Sequence, residues 1–340
     1  MSDPFATDSP VLVVDDIIAR PGRQQAVLQL LTGAYAEHAR TRGLVLKQTI
    51  ALPPFEQPGT PSQLILIWEY PSLNALWQAR AAESDTALAE LWQQIDAMSL
   101  RRTRRLGRPE PMAGCERAPE EPAPIDEADN AQRWILFVQP VAALDSAARA
   151  QWVTAAQALP GALRSQAGFH QDYSFLPDQM TWEVTLPAAV GPAELLTALP
   201  GAAQLTDAVE LGVTLGSGVR DALLSGTKRT ILLGADSALS GERLALLEHV
   251  LAETPHYITA LRNWRLSRVA RSHGTTAWTH CIEQEVFDAN VFLTDYLNHP
   301  FHWAVVDRFF HTEAPELSAH AFLHTLYPIE RSALAEPLRS

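Results

Sequence analysis

The chain reads as an α+β protein of tandem ferredoxin-like units, antiparallel sheets with helices on one face. Three observations predict this. A strand, helix, strand, strand, helix, strand order recurs along the 340 residues. A proline and glutamate-rich stretch, GRPEPMAGCERAPEEPAPIDEADN, interrupts the apolar patterning after the first pass. The composition, 47% hydrophobic and 19% charged, supplies apolar side chains for more than one core.

The elements follow in order. In the first unit, residues 1–107, VLVVDDII reads as a strand and the next segment places Val27, Leu30, Leu31 and Tyr35 at helical spacing, with Gly43 at the stop. LVLKQTIAL and SQLILIWEY follow as strands, then a tryptophan-rich helix and LRRTRRL as the closing strand. Residues 108–130 form the linker. The middle unit, 131–220, runs RWILFVQPV, a helix near Trp152, RSQAGFHQDYSF, QMTWEVTLP, a short helix PAELLTALP and DAVELGVTL. Glycines and serines in GSGVRDALLSGTKR mark a break before the third unit, 228–330. There RTILLGA leads into a helix striped by Leu244, Leu247, Val250 and Leu251, then two alternating strands, a helical segment and the closing strand SAHAFLHTLYPI. A sheet with helices on one face must cover the other, and two such sheets cover each other as a barrel-like pair. Three units leave one unpaired, which predicts a homodimer in which the odd units meet.

Composition narrows the function classes. A formal charge of −13 lacks the basic footprint that a phosphate backbone demands, so no nucleic acid is expected. The opening residues MSDPFATDSP carry no basic segment and no apolar run, and no stretch approaches the ~18 apolar residues that span a bilayer, which predicts a soluble, cytoplasmic chain without a membrane partner. Cys115 and Cys281 stand far apart and form no metal-spaced pair. No phosphate loop, nucleophile elbow or dinucleotide fingerprint appears. Nine of the eleven histidines lie at or after His249, and His320 and His324 share a face of the last strand, but no carboxylate or cysteine joins them at ligand spacing; no metal is expected.

The stretch WTHCIEQEVFDANVFLTDYLNHPFHWAVVDRF concentrates the chemistry. Alternation puts Trp278, His280 and Ile282 on one strand face; Asp288 offers an N-cap, Phe292, Tyr296 and His299 follow at helical spacing, and Pro300 starts a new turn that leads His302 back toward the sheet. His299, beside the proline, reads as a capping residue. With its Thr-His strand, Tyr, His-Pro-x-His and Val-Asp, the stretch resembles the stress-responsive A/B barrel (Dabb) family, over residues 228–330. The first unit is similar to the broader dimeric alpha-beta barrel superfamily through LIWEYPSLNALW, and the middle unit through topology alone. The resemblance implies cofactor-independent acid/base chemistry of cyclase, lyase or isomerase type on a small hydrophobic or aromatic carbonyl compound. It assigns His302 as general base and Tyr296 as oxyanion partner, with His280 orienting one of them. Thr230 stands where such domains often carry a first-strand histidine. A noncatalytic ligand-binding or stress-response scaffold and a haem or oxygen-using monooxygenase are the alternative readings. The nine tryptophans read as core, a subset of them facing a barrel interior as an aromatic pocket.

Overall fold

The computed structural model describes residues 8–81, 86–127, 131–187 and 189–339. The chain divides into two compact units. The first comprises residues 1–116 together with Leu297–Ser318, and the second Arg117–Tyr296 with Ala319–Ser340. Most of the stretch between the last two strands of the C-terminal repeat, Leu297–Ser318, therefore belongs to the first unit, and the chain returns to the second for its final strand.

The first unit is an antiparallel sheet of order β2-β3-β1-β4, with β1 at Val11–Ala19, β2 at Val45–Leu52, β3 at Ser62–Tyr70 and β4 at Ser99–Gly107. Burial alternates strictly along β1 and β3, so Val11, Val13, Ile17, Leu64, Leu66 and Trp68 are covered while Leu12, Val14, Ile18, Ile65 and Ile67 stay half-exposed. Two helical runs cover the inner face. The first comprises Gln24–Leu30, a π-turn Leu31–Tyr35 and Ala36–Thr41, and packs Val27, Leu31 and Tyr35 into the core. The second comprises Leu73–Ala81 and Thr86–Ala97, and adds Leu76, Trp92 and Ile95. Trp303, from the Leu297–Ser318 stretch, joins this same core.

The second unit is one eight-stranded antiparallel sheet of order β12-β9-β11-β10-β8-β5-β7-β6. Its strands are β5 (Gln132–Pro140), β6 (Arg164–Phe169), β7 (Met180–Leu186), β8 (Ala203–Val219), β9 (Gly226–Ala235), β10 (Asn263–Ser272), β11 (His280–Val286) and β12 (Ala319–Ile329). The two later repeats are thus welded rather than merely adjacent. The weld is β8, seventeen residues long, which pairs with β5 through its first half and with β10 through its second. The glycines expected to break the chain near residue 216 instead continue this strand. A Cβ on Gly218 would lie 2.4 Å from the Trp264 ring, so glycine there permits close approach rather than a turn. The Pro/Glu-rich stretch is also partly built in, with Ala123 bridging Val219 and Ile125 buried.

The sheet curls until its edges meet. Gln171 N donates to Leu326 O at 2.8 Å, Thr181 Oγ1 lies 2.9 Å from Thr325 Oγ1, and Tyr327 hydroxyl donates to Glu183 at 2.7 Å. Unlike β1 and β3, strands β6, β7 and β11 are buried at every residue, as strands covered on both faces must be. At the seam, a Cβ on Gly168 would fall 2.4 Å from Tyr327 Cδ2. Gly168→Ala is therefore expected to force Tyr327 out of place and to destabilise the second unit by about 1–3 kcal/mol. Urea denaturation followed by tryptophan fluorescence reads the loss; an unchanged midpoint contradicts the closure.

Candidate functional site

The inner surface of the curled sheet alternates strictly with the outer one. Leu232, Cys281, Val209, Ile135 and Phe137 fill one end with Trp278. Trp278 precedes β11 and packs with Cys281 instead of sharing the face of His280, contrary to the alternation expected from sequence, because regular pleating begins only at His280. The other end holds charge. Lys228 donates to Glu183 and to Glu283, the latter at 3.1 Å; Arg265 forks onto Glu283 at 2.7 and 2.9 Å; Arg133 reaches it at 2.7 Å; Thr230 donates to Glu183 at 3.0 Å. Burial lifts the Glu183 carboxyl, whereas at Glu283 burial is outweighed by Arg265, Lys228 and Arg133, which hold it well below the usual range. About 10 Å³ remains among these groups, room for one water. Among the described residues this charged end of the interior is packed, and a haem-sized macrocycle does not fit among its side chains.

The outer face beneath Phe292 and Tyr296 is different. Arg229, on β9, is only 8% exposed, its guanidinium 5.1 Å from each of the Phe292 and Tyr296 ring centroids. Gln284 opposes Arg229 directly across the β9–β11 ladder, and Leu326 opposes it on β12, placing His324 two residues along on the same face. Among the described residues, Arg229 Nε and Nη1, Gln284 Oε1 and His324 Nδ1 are buried without a hydrogen-bond partner. Buried polar groups in native proteins are almost always paired, and each orphan costs roughly 1–3 kcal/mol. Four such atoms on adjoining positions of one face, two donors and two capable of accepting, mark this as a place built for something polar. Burial, with the neighbouring Arg229 charge, brings the His324 imidazole down to about 3, so it is neutral at physiological pH.

His280 and Tyr296 belong to this unit and His302 to the other. Both ring nitrogens of His280 are engaged by protein groups: Nε2 lies 3.1 Å from Glu248 Oε1 and Nδ1 2.9 Å from Thr279 Oγ1, while Arg268 forks onto Glu248 at 2.7 and 2.8 Å. Within its unit the Tyr296 ring packs against the guanidinium of Arg229, a residue the sequence did not single out. The available signal was parity: in KRTILL and HCIEQEV, Arg229 and Gln284 alternate onto the face that carries Ile231, Leu233 and Ile282.

In the first unit, His302 stacks obliquely 5.7 Å from Trp77, and His299 Nδ1 accepts from Phe301 N at 3.1 Å. Glu313 is buried there beneath three arginines: Arg42 pairs with its carboxylate, Arg104 Nη2 lies 3.0 Å from it, and Arg102 donates to its backbone carbonyl at 2.6 Å. Arg104 also bridges Asp15 at 3.2 Å and Tyr35 at 2.6 Å. A cavity of about 20 Å³ beside this cluster is lined by Tyr70, Arg80, His311 and Glu313 among others. At Glu313 burial is outweighed by Arg104, His311 and Arg42, which hold it at about 2.

No family model matches the chain, and no curated protein matches it. Solved structures do. They include an anthrone oxidase-like protein (8% identity, TM-score 0.40, covering 59% of this chain and 91% of that one). A Fusobacterium nucleatum protein assigned as a monooxygenase matches at 10% identity and TM-score 0.39, over 62% and 97%. A mutant chlorite dismutase from Candidatus Nitrospira defluvii matches at 13% and 0.41, over 59% and 92%. At these scores neither reactions nor ligands transfer to this chain.

The buried histidines make acid stability a direct test. His170 and His299 are brought down to about 4, and His311 and His324 to about 3, chiefly by burial, so each is neutral in the fold and takes up a proton on unfolding below its ordinary value near 6.5. The unfolded state then binds more protons, and stability falls as pH drops from about 6.5 toward 4, by up to roughly 1.4 kcal/mol per pH unit for each histidine. Glu313 adds to this only below about 4.5, its stabilisation being lost as pH falls toward 2. Thermal melts from pH 7.5 to 4 should show a steep decline beginning near 6.5; a flat profile down to pH 5 contradicts the neutral burial.

Proposed function

We propose that the second unit is a small-molecule enzyme that performs cofactor-independent acid/base chemistry on a hydrophobic or aromatic carbonyl compound. The observation that carries this is the buried Arg229 guanidinium, with two nitrogens unpartnered among the described residues and the Phe292 and Tyr296 rings packed against it. A fixed cation and a phenol in an apolar setting stabilise negative charge developing on a carbonyl oxygen, since the dipoles are already aimed before reaction. His324 is the base of this reading. Its neutral imidazole accepts the proton from the carbon beside the carbonyl, the C–H electron pair moves into the enolate, and the oxygen is held by Arg229 and Tyr296. His280 takes a positioning role, anchoring β11 to the helix Gly241–Tyr257 through Glu248.

The test needs no knowledge of the natural substrate. Proton NMR in D2O follows exchange of the α-hydrogens of aryl ketones and β-keto esters. Wild-type protein is expected to accelerate exchange; Tyr296→Phe and His324→Asn each slow it about 10²-fold, and Arg229→Met about 10³-fold, with folding checked by circular dichroism. Because His324 is already deprotonated in the free protein, the rate should not fall as pH drops through 6.5, unlike that of an ordinary histidine base. No exchange with any member of the panel contradicts the reading.

The first unit supports a homodimer. Its outer sheet face is half-exposed and apolar at Leu12, Val14, Ile18, Ile65 and Ile67, and its charges pair within the sheet, Lys47 with Glu69 and Arg101 with Asp16, which leaves an apolar face that a second copy would cover. Sedimentation velocity is expected to give a dimer for the wild type and a monomer for Ile65→Glu/Ile67→Asp; a monomeric wild type contradicts it.

A further inference from the structure

In the second unit a recess of about 460 Å³ lies beneath the Pro/Glu-rich strap Ala118–Ala123, walled on its other side by Val219, Arg220, Thr259 and Arg262. Its size falls in the range of small-molecule sites. The strap is pinned at two points: Ala118 N donates to His256 O at 2.8 Å, and Ala123 and Val219 exchange backbone hydrogen bonds at 3.0 and 2.8 Å. Between the pins, Pro119 and Pro122 have no N–H to give, and among the described residues no backbone hydrogen bond ties residues 119–122 to β8. The recess lies under this untied span.

Arg220 sets the charge of one wall. Its guanidinium lies 4.7 Å from the Trp264 ring centroid and Nη1 donates to Leu261 O at 3.1 Å, which fixes its orientation. Nε and Nη2, which share one edge of the guanidinium, have no hydrogen-bond partner among the described residues. A carboxylate takes such an edge through two parallel hydrogen bonds. Burial, then the neighbouring Arg262 charge, works against the Arg220 cation, and the nearby carboxylates are committed elsewhere: Asp221 to Arg262, and Glu121 to Arg117 at 2.7 Å. Glu120 differs from them. Exposed on the strap, it forms neither a hydrogen bond nor an ion pair among the described residues. The recess thus carries an unmatched cation on one wall and an unmatched anion on the other. Glu120 stands two residues along the strap from the position opposite Arg220, roughly 7 Å of extended chain.

We propose that this recess binds a small zwitterion of the ω-amino acid type, its carboxylate on the free edge of Arg220 and its amine on Glu120. The site shares no residue with the Arg229 cluster, so it stands or falls independently of the acid/base reading. A ligand with a single charge leaves either Arg220 or Glu120 unmatched, and the two ends together select for a molecule that carries both. Isothermal titration with 6-aminohexanoate, hexanoate and hexylamine tests it, since the three share one six-carbon chain and differ only in charge. The zwitterion should bind about fivefold more tightly than hexanoate, the contribution of one exposed ion pair, and about thirtyfold more tightly than hexylamine, which forgoes the charged hydrogen bonds to Arg220. Glu120→Gln, at an exposed position, should bring 6-aminohexanoate down to the level of hexanoate without weakening hexanoate itself. Arg220→Met should bring it to the level of hexylamine, with circular dichroism confirming the fold. Equal affinities for the three probes, no binding of 6-aminohexanoate, or a preference for the zwitterion that survives Glu120→Gln overturns the proposal.

Discussion

The second unit depends on one arrangement, a ring of buried charges that meets across the closed sheet. Lys228 on β9 and Glu183 on β7 come from different repeats, separated by four intervening strands in the order of the sheet, and pair only because the sheet curls back on itself. Glu283, fully buried, takes Arg133 from one repeat and Lys228 and Arg265 from the other. Such a network contributes little net attraction over an apolar core, but removing one member strands the rest at a cost of about 3–5 kcal/mol. Its more important effect is registry. A slip of one residue in β9 would turn Lys228 and Thr230 outward and carry Arg229 into the interior, breaking both faces at once.

That strictness divides the labour between the two surfaces. Inside, charges satisfy one another and the space is full. Outside, the polar residues of the same strands are not fully matched, and Arg229, Gln284 and His324 retain unpaired atoms. A protein tolerates such orphans where strain in the ground state is relieved by a partner that comes and goes. The unmatched polar atoms thus lie in the layer between the sheet and its helical cover, and the matched ones at the charged end of the interior.

Much of the architecture was legible from alternation. Strands β1 and β3 follow the period-2 pattern closely, β9 and β11 are buried nearly throughout, and the α+β class follows from the order of strands and helices. What could not be read was which strands join across repeats: β8 carries three glycines that resemble a break locally, and only the rings packed against Gly218 reveal their role. At the candidate site, Tyr296 stood out through the motif that surrounds it. Arg229 and Gln284 did not, because an isolated polar residue in a strand usually points to solvent, and burial is a property of what covers it. His280 drew notice for its residue type, yet its two nitrogens are held by Glu248 and Thr279, contacts that sequence separation hides.

The division of the chain also bears on what can be cut from it. Trp303 in the core of the first unit and Glu313 beneath Arg42 and Arg104 lie some two hundred residues beyond the sheet they complete. A truncation after Glu116 would keep all four strands of that sheet and leave Arg104 with Asp15 as its one carboxylate partner, so the unit is a domain in space without being a segment of sequence.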